Sequence, residues 1–148
     1  MSSAAASSSD RSRSDPRGRP IGVFDSGVGG LTVLHELLVR LPREDFLYLG
    51  DTARFPYGQR TPEELTRFAA EITEELAGRG AKLLVVACNS ASAAALDAVE
   101  RHLAWRGVDV DVIGVLGPAA QTAVASSRSG RIGWLGCVNG APNHRSSA

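Results

Sequence analysis

Three short stretches carry the residue types that could do chemistry, and each directly follows an apolar run. Cys88-Asn89-Ser90 comes after Leu83-Leu84-Val85-Val86-Ala87. A cysteine between the end of a buried strand and the start of a helix sits where a thiol can work as a thiolate. The peptide N–H groups of a helix N-terminus stabilise negative charge and can lower a thiol pKa. Asp25-Ser26-Gly27-Val28-Gly29-Gly30 presents an acid and a hydroxyl ahead of a glycine-rich turn. Gly50-Asp51-Thr52-Ala53-Arg54-Phe55-Pro56-Tyr57-Gly58 mixes an acid, a hydroxyl, an arginine and two aromatics in one loop.

The glycines after Asp25 allow a tight turn and let backbone N–H groups approach an anion at the following helix N-terminus. The spacing is not Gly-x-Gly-x-x-Gly and no phosphate-loop lysine follows, which favours a small carboxylate ligand over a dinucleotide or triphosphate. A purely structural turn explains the glycines, but explains less well an Asp25 and a Ser26 exposed at a strand end. Tyr57-Gly58 offers a hydroxyl and a backbone open to close approach. The plain alternative is an ordinary βα loop with Phe55 and Tyr57 packed as a lid.

Cys88 alone could be a buried structural thiol. Its neighbours Asn89, Ser90 and Ser92 can cap a helix or grip a carboxylate, which favours a working thiol. His35 and His102 fall within helices and His144 lies in the terminal segment. None is placed to make Cys88 a protease-like nucleophile, so a thiolate acting as a base fits better than one attacking carbon. No Cys or His spacing suits a metal.

The elements that position these residues follow from periodicity. Pro20–Phe24, Phe46–Leu49, Leu83–Ala87, Val110–Val115 and Arg131–Leu135 read as strands. Leu31, Leu34, Leu37, Leu38 and Leu41 recur at helical spacing before Pro42. Thr61-Pro62-Glu63-Glu64 opens a second helix with a cap, a proline at the first position and a capping box. Its stripe is Leu65, Phe68, Ala69, Ile72 and Leu76, and Gly78 and Gly80 close it. A third helix is predicted from about Ser90 to Trp105 and a fourth opening at Pro118. This alternation predicts an α/β fold with a parallel sheet flanked by helices on both faces. Ligands bind beyond the carboxyl ends of such strands, and Asp25, Asp51 and Cys88 all fall there.

Bulk composition sets outer limits. The chain has 148 residues, with 16 acidic and 16 basic side chains, so no net field favours nucleic acid or an acidic membrane surface. Two cysteines make no disulfide framework, and no stretch is long and apolar enough to span a bilayer. Residues 1–19 lack the apolar middle of a secretory signal and read as a solvated, disordered tail. A cytoplasmic protein with reduced thiols is expected.

Taken together and in this order, the Asp25–Gly30 and Gly50–Gly58 stretches and Ala87-Cys88-Asn89-Ser90-Ala91-Ser92-Ala93 resemble the glutamate racemases, in the cofactor-independent aspartate/glutamate racemase superfamily. The resemblance runs from about Pro20 to about Gly133. It implies a first α/β lobe over 20–112, the start of a second lobe over 113–135, and a polar tail outside the family pattern over 136–148. Cys88 would match the catalytic thiol that moves the α-proton on one face of glutamate. Asp25 would match the acid beside it, assisting the thiol or holding the substrate ammonium. Ser26, Tyr57, Gly58, Asn89 and Ser90 would match substrate-binding positions, Ser90 standing where threonine is commoner. The resemblance implies no cofactor and allows a homo-oligomer. The family supplies D-glutamate for peptidoglycan.

The family's second catalytic cysteine lies in a Cys-Thr-His motif that this sequence lacks, since Cys137 is followed by Val138-Asn139 and falls too early. The expectation is therefore a truncated or frame-shifted chain, inactive alone as a racemase. Two alternatives stay open: a racemase of the aspartate type, and a non-catalytic α/β module binding a carboxylate or a partner protein.

Overall fold

The structure is a computed structural model and describes residues 18–133. Four strands form one parallel sheet in the order β2-β1-β3-β4: β1 is Ile21–Asp25, β2 Phe46–Gly50, β3 Leu83–Val86 and β4 Asp111–Gly114. The helices are α1 Leu31–Arg40, α2 Pro62–Gly78, α3 Asn89–Ala94, α4 Leu96–Trp105 and α5 Leu116–Ser126, with a short 3-10 turn at Tyr57–Gln59. The α/β alternation expected from periodicity is thus observed over these elements.

The two faces of the sheet are covered unequally. On one face Phe24, Leu84 and Val86 pack with Leu65, Phe68, Ile72 and Leu76 of α2 and with Val99 and Leu103 of α4. On the other, Ile21, Val23, Val85 and Ala87 meet Val33, Leu34 and Leu37 of α1, a helix with no fully buried residue. Each fully buried side chain of this kind contributes about 1.5–3 kcal/mol, so the α2–α4 face carries most of the stability.

Helix α2 starts as its sequence dictates. Thr61 accepts from the Glu64 N–H, the Glu64 carboxylate accepts from the Thr61 N–H, and Pro62 occupies the first turn. Gly80, at φ +91°, takes the left-handed conformation that closes the helix. Pro118 is tolerated inside the first turn of α5, where N–H groups have no intrahelical partner.

Several expectations are corrected. The single helix over 90–105 is two: Ala95 sits at φ −124°, ψ −11° between α3 and α4. The i→i−4 bonds from Ala95 N–H to Ala91 and from Val99 N–H to Ala95 continue through the break. Arg131–Gly133 form no strand, while Trp134 and Leu135 lie outside the described residues, as do the tail segments 1–17 and 136–148. Arg19, assigned to the tail, is anchored, donating to the Gly80 and Ala81 carbonyls at 2.9 Å each. The lobe boundary expected between 112 and 113 falls inside β4, which pairs with β3 along its length. No helix among the described residues is long and apolar enough to cross a membrane.

Candidate active site

The carboxyl edge of the sheet is assembled by strand-end hydrogen bonds. Ala87 N–H donates to the Phe24 carbonyl at 2.8 Å, and Asp51 N–H to the Asp25 carbonyl at 2.9 Å. The Asp25, Asp51 and Cys88 segments therefore meet at one edge, as the strand–helix pattern requires.

Asp25 is buried rather than exposed, at 7% accessibility. One carboxylate oxygen accepts the Gly27 N–H at 3.0 Å. Its other oxygen makes no hydrogen bond among the described residues. Tyr48, absent from the sequence expectations, holds this loop by donating its hydroxyl to the Gly27 carbonyl at 3.2 Å. Burial, and secondarily the charge of Asp25, push the Tyr48 phenol pKa up. A tyrosine in a half-buried apolar strand is the available signal, since such a hydroxyl usually finds a partner.

Gly27 and Gly30 serve close approach rather than unusual torsions. Gly27, Gly29 and Gly30 all lack a positive φ. A Cβ on Gly30 would lie 2.6 Å from Asp25 Cβ, 3.1 Å from Ala87 Cβ and 3.2 Å from the Tyr48 hydroxyl. The expected anion cradle is weakened, because the Leu31 and Thr32 N–H groups already bond the Val28 and Gly29 carbonyls. Ser26, beside Asp25, is half-buried.

Cys88 is the residue that precedes α3, and it too is buried, at 4% accessibility. The sequence led to an expectation of a reachable thiol. Its side chain instead belongs to the α2–α4 core cluster, which also holds Tyr57. Asp25 lies against Gly30 at the start of α1. The two residues share the sheet edge, but among the described residues no hydrogen bond joins them. Beyond Cys88, Asn89 is exposed, whereas Ser90 is 6% accessible and its hydroxyl has no hydrogen-bond partner among the described residues. Ser92 is committed to structure: its hydroxyl donates to the Val86 carbonyl at 2.9 Å and accepts from Val115 N–H at 3.3 Å, joining the ends of β3 and β4.

In the loop after β2, Tyr57 and Phe55 do not act together as a lid. Tyr57 is 1% accessible and Phe55 62%. The Tyr57 hydroxyl donates to Asp51 Oδ2 at 2.5 Å, and Arg54 Nε donates to the same oxygen at 2.5 Å. Burial first, then the bond and charge of Asp51, raise the Tyr57 pKa well above the ordinary phenol range. Gly58 is half-buried next to it. Because the Tyr57 side chain is spent in the core, only its main chain can meet a ligand at this edge.

No group of three or more His, Cys, Asp or Glu among the described residues could hold a metal. Surface grooves of about 450 and 420 Å³ run beside α2 and α4 and include none of the strand-edge residues.

No protein-family model matches the chain. It is 53% identical to a glutamate racemase of Geobacter metallireducens over 118 residues, 80% of this chain and 42% of that protein. Its structure is similar to the glutamate racemase of Aquifex pyrophilus, with a TM-score of 0.68 and 44% identity over 74% of this chain and 41% of the other. The Francisella tularensis glutamate racemase, solved in complex with D-glutamate, matches with a TM-score of 0.66 and 39% identity over 73% and 39%. The chain thus spans about 42% of the length of the curated relative it matches.

Proposed function

We propose that this chain, homologous to glutamate racemases over 80% of its length, forms one side of a site that moves the α-proton of glutamate. The observation that carries this reading is the sheet edge itself. It gathers the segments of Asp25, Cys88 and Ser90, the Cys88 side chain enclosed at the edge of the α2–α4 core, with the Ser90 hydroxyl and one Asp25 oxygen lacking protein partners among the described residues. A buried polar group left unsatisfied costs about 1–3 kcal/mol. A ligand carrying both an ammonium and a carboxylate would recover that cost at the two positions.

In this reading the ammonium meets Asp25. The α-carboxylate meets Ser26, the Asn89 amide, the Ser90 hydroxyl and the main chain of Tyr57-Gly58. Donors around that carboxylate stabilise the charge that develops when the α-proton leaves. Cys88, as thiolate, takes the proton from one face of the α-carbon, leaving the electron pair delocalised into the carboxylate. A second acid must return a proton to the opposite face for inversion. Cys88 is the free cysteine of residues 18–133, so that donor has to come from elsewhere. The product, D-glutamate, would serve peptidoglycan synthesis in a bacterial cytoplasm, and the scheme calls on no cofactor.

The test uses the 148-residue chain. Calorimetry with D- and L-glutamate should show binding that persists in Cys88→Ala. α-Proton exchange in deuterated buffer, followed by NMR, should show no inversion by this chain alone. A folded sample that binds neither enantiomer would end the glutamate reading, and full turnover would end the need for a second donor.

A further inference from the structure

Asp51 stands between two of the site's loops. Its N–H donates to the Asp25 carbonyl, fixing it to the end of β1. Its carboxylate reaches the other way and accepts the Tyr57 hydroxyl, at the head of the 3-10 turn. The side chain is 7% accessible, so its charge needs compensation, and Arg54 supplies it from the same loop. Arg54 is itself held from α2. Its Nη1 donates to Glu71 Oε2 at 2.5 Å, and its guanidinium lies 4.3 Å from the centre of the Phe68 ring. That ring also packs on Tyr57, with centroids 5.6 Å apart. The turn is further tied by Arg60, whose N–H donates to the Tyr57 carbonyl and whose Nη2 donates to the Arg54 carbonyl.

We infer that Asp51 is a positioning residue: its carboxylate fixes the Tyr57–Gly58 main chain against the Asp25 loop, so that both contact one substrate in register. This rests on the glutamate reading for the identity of the substrate, but the placement of the turn does not. The residue acts through Tyr57 and touches no substrate itself. A buried carboxylate shared by a phenol and a guanidinium is a rigid anchor, since charge-assisted bonds are the stronger and more directional kind. The proteins that use such an anchor only for stability would not care which loop it holds. Here the loop it holds carries two of the substrate-binding positions.

Peptide-resolved hydrogen exchange and glutamate calorimetry on the full chain test this together. Tyr57→Phe keeps the ring in the core and removes only the bond to Asp51. Exchange over residues 52–60 should accelerate about tenfold, with β1, β3 and α2 unchanged, and glutamate affinity should fall by a similar factor. Asp51→Asn, which keeps an acceptor for Tyr57, should lose less than Asp51→Ala. Uniform acceleration across the sheet and α2 in Tyr57→Phe would make the bond a general stability contact and overturn the inference. So would a loosened turn with unchanged affinity. If the wild-type chain binds no glutamate, the substrate reading fails, while unchanged exchange over 52–60 in Tyr57→Phe would separately refute the positioning role.

Discussion

Replacing Gly30 by alanine tests whether the loop after β1 is shaped by crowding. The added Cβ would sit 2.6 Å from Asp25 Cβ, closer than real Cβ atoms come, and 3.1 Å from Ala87 Cβ. Neither neighbour is the loose end of a long side chain. Asp25 ends β1, and Ala87 is tied to β1 by its N–H bond to Phe24. Relief therefore requires backbone movement, and overpacking of this kind costs about 1–3 kcal/mol. An opposing gain exists, because Gly30 already has helical torsions, φ −65° and ψ −11°. Alanine at a compatible position gains about 0.4–1 kcal/mol through the unfolded chain. Subtracting the midpoints of those two ranges leaves a net loss of about 1.3 kcal/mol, or a fall in Tm of roughly 4–8 °C for a domain of this size. Gly29→Ala is the matched control: its Cβ would meet only Asp25 Oδ2, at 3.7 Å, an ordinary contact. Gly50→Ala, 2.4 Å from the Gly27 carbonyl, should be at least as damaging as Gly30→Ala. Thermal and urea unfolding by circular dichroism measure all three variants. If Gly30→Ala and Gly29→Ala agree within about 0.5 kcal/mol, the range of neutral surface changes, the crowding argument is wrong.

Other consequences are open to simpler tests. Thr61→Ala removes one arm of the α2 capping box and should cost about 0.5–2 kcal/mol in urea unfolding, with glutamate binding unchanged; no measurable loss would refute the capping account. The raised Tyr57 pKa means that the folded state keeps a proton that the unfolded chain releases above about pH 10. Its contribution is therefore whole below that pH and is lost as pH rises toward the folded value. Tyr57→Phe should show a shallower loss of stability in alkaline denaturation, and an identical profile would contradict the assigned environment. Cys88 should be alkylated by iodoacetamide more slowly than an exposed thiol, and more slowly again with glutamate bound; mass spectrometry separates it from Cys137. Rapid labelling of Cys88 in a folded sample would refute its enclosure.

Much of the framework was legible because it is local. Apolar runs alternating with helical stripes specify a parallel α/β sheet, and Thr61 with Glu64 spell out the capping box within four residues. The meeting of Asp25, Asp51 and Cys88 follows from strand direction alone. What escaped reading depends on contacts between distant segments. Tyr48 bonding Gly27, Arg54 bonding Glu71 and Arg19 bonding Gly80 join residues with no sequence signal of their pairing. Tyr57 reads equally as a lid or a core residue until α2 is seen to bring Phe68 against it. The glycines after Asp25 suggest torsional freedom, whereas at Gly27 and Gly30 the structure uses the lack of a side chain. Cys88 shows the same limit, since a strand-end position does not say how closely neighbouring helices wrap it.

The anchoring of Arg19 has a practical side. Its guanidinium fastens the backbone ahead of β1 to the chain leaving α2, and Lys82 N–H bonds the Pro20 carbonyl beside it. The chain therefore enters β1 from the amino rim of the sheet. Asp25 closes β1 at the other end of the strand from Ile21, about 13 Å away at the usual rise per residue. A fluorophore attached through Gly18→Cys, at an exposed position just ahead of that anchor, would therefore sit on the rim opposite Asp25 and report on the fold without touching the loops that face a ligand.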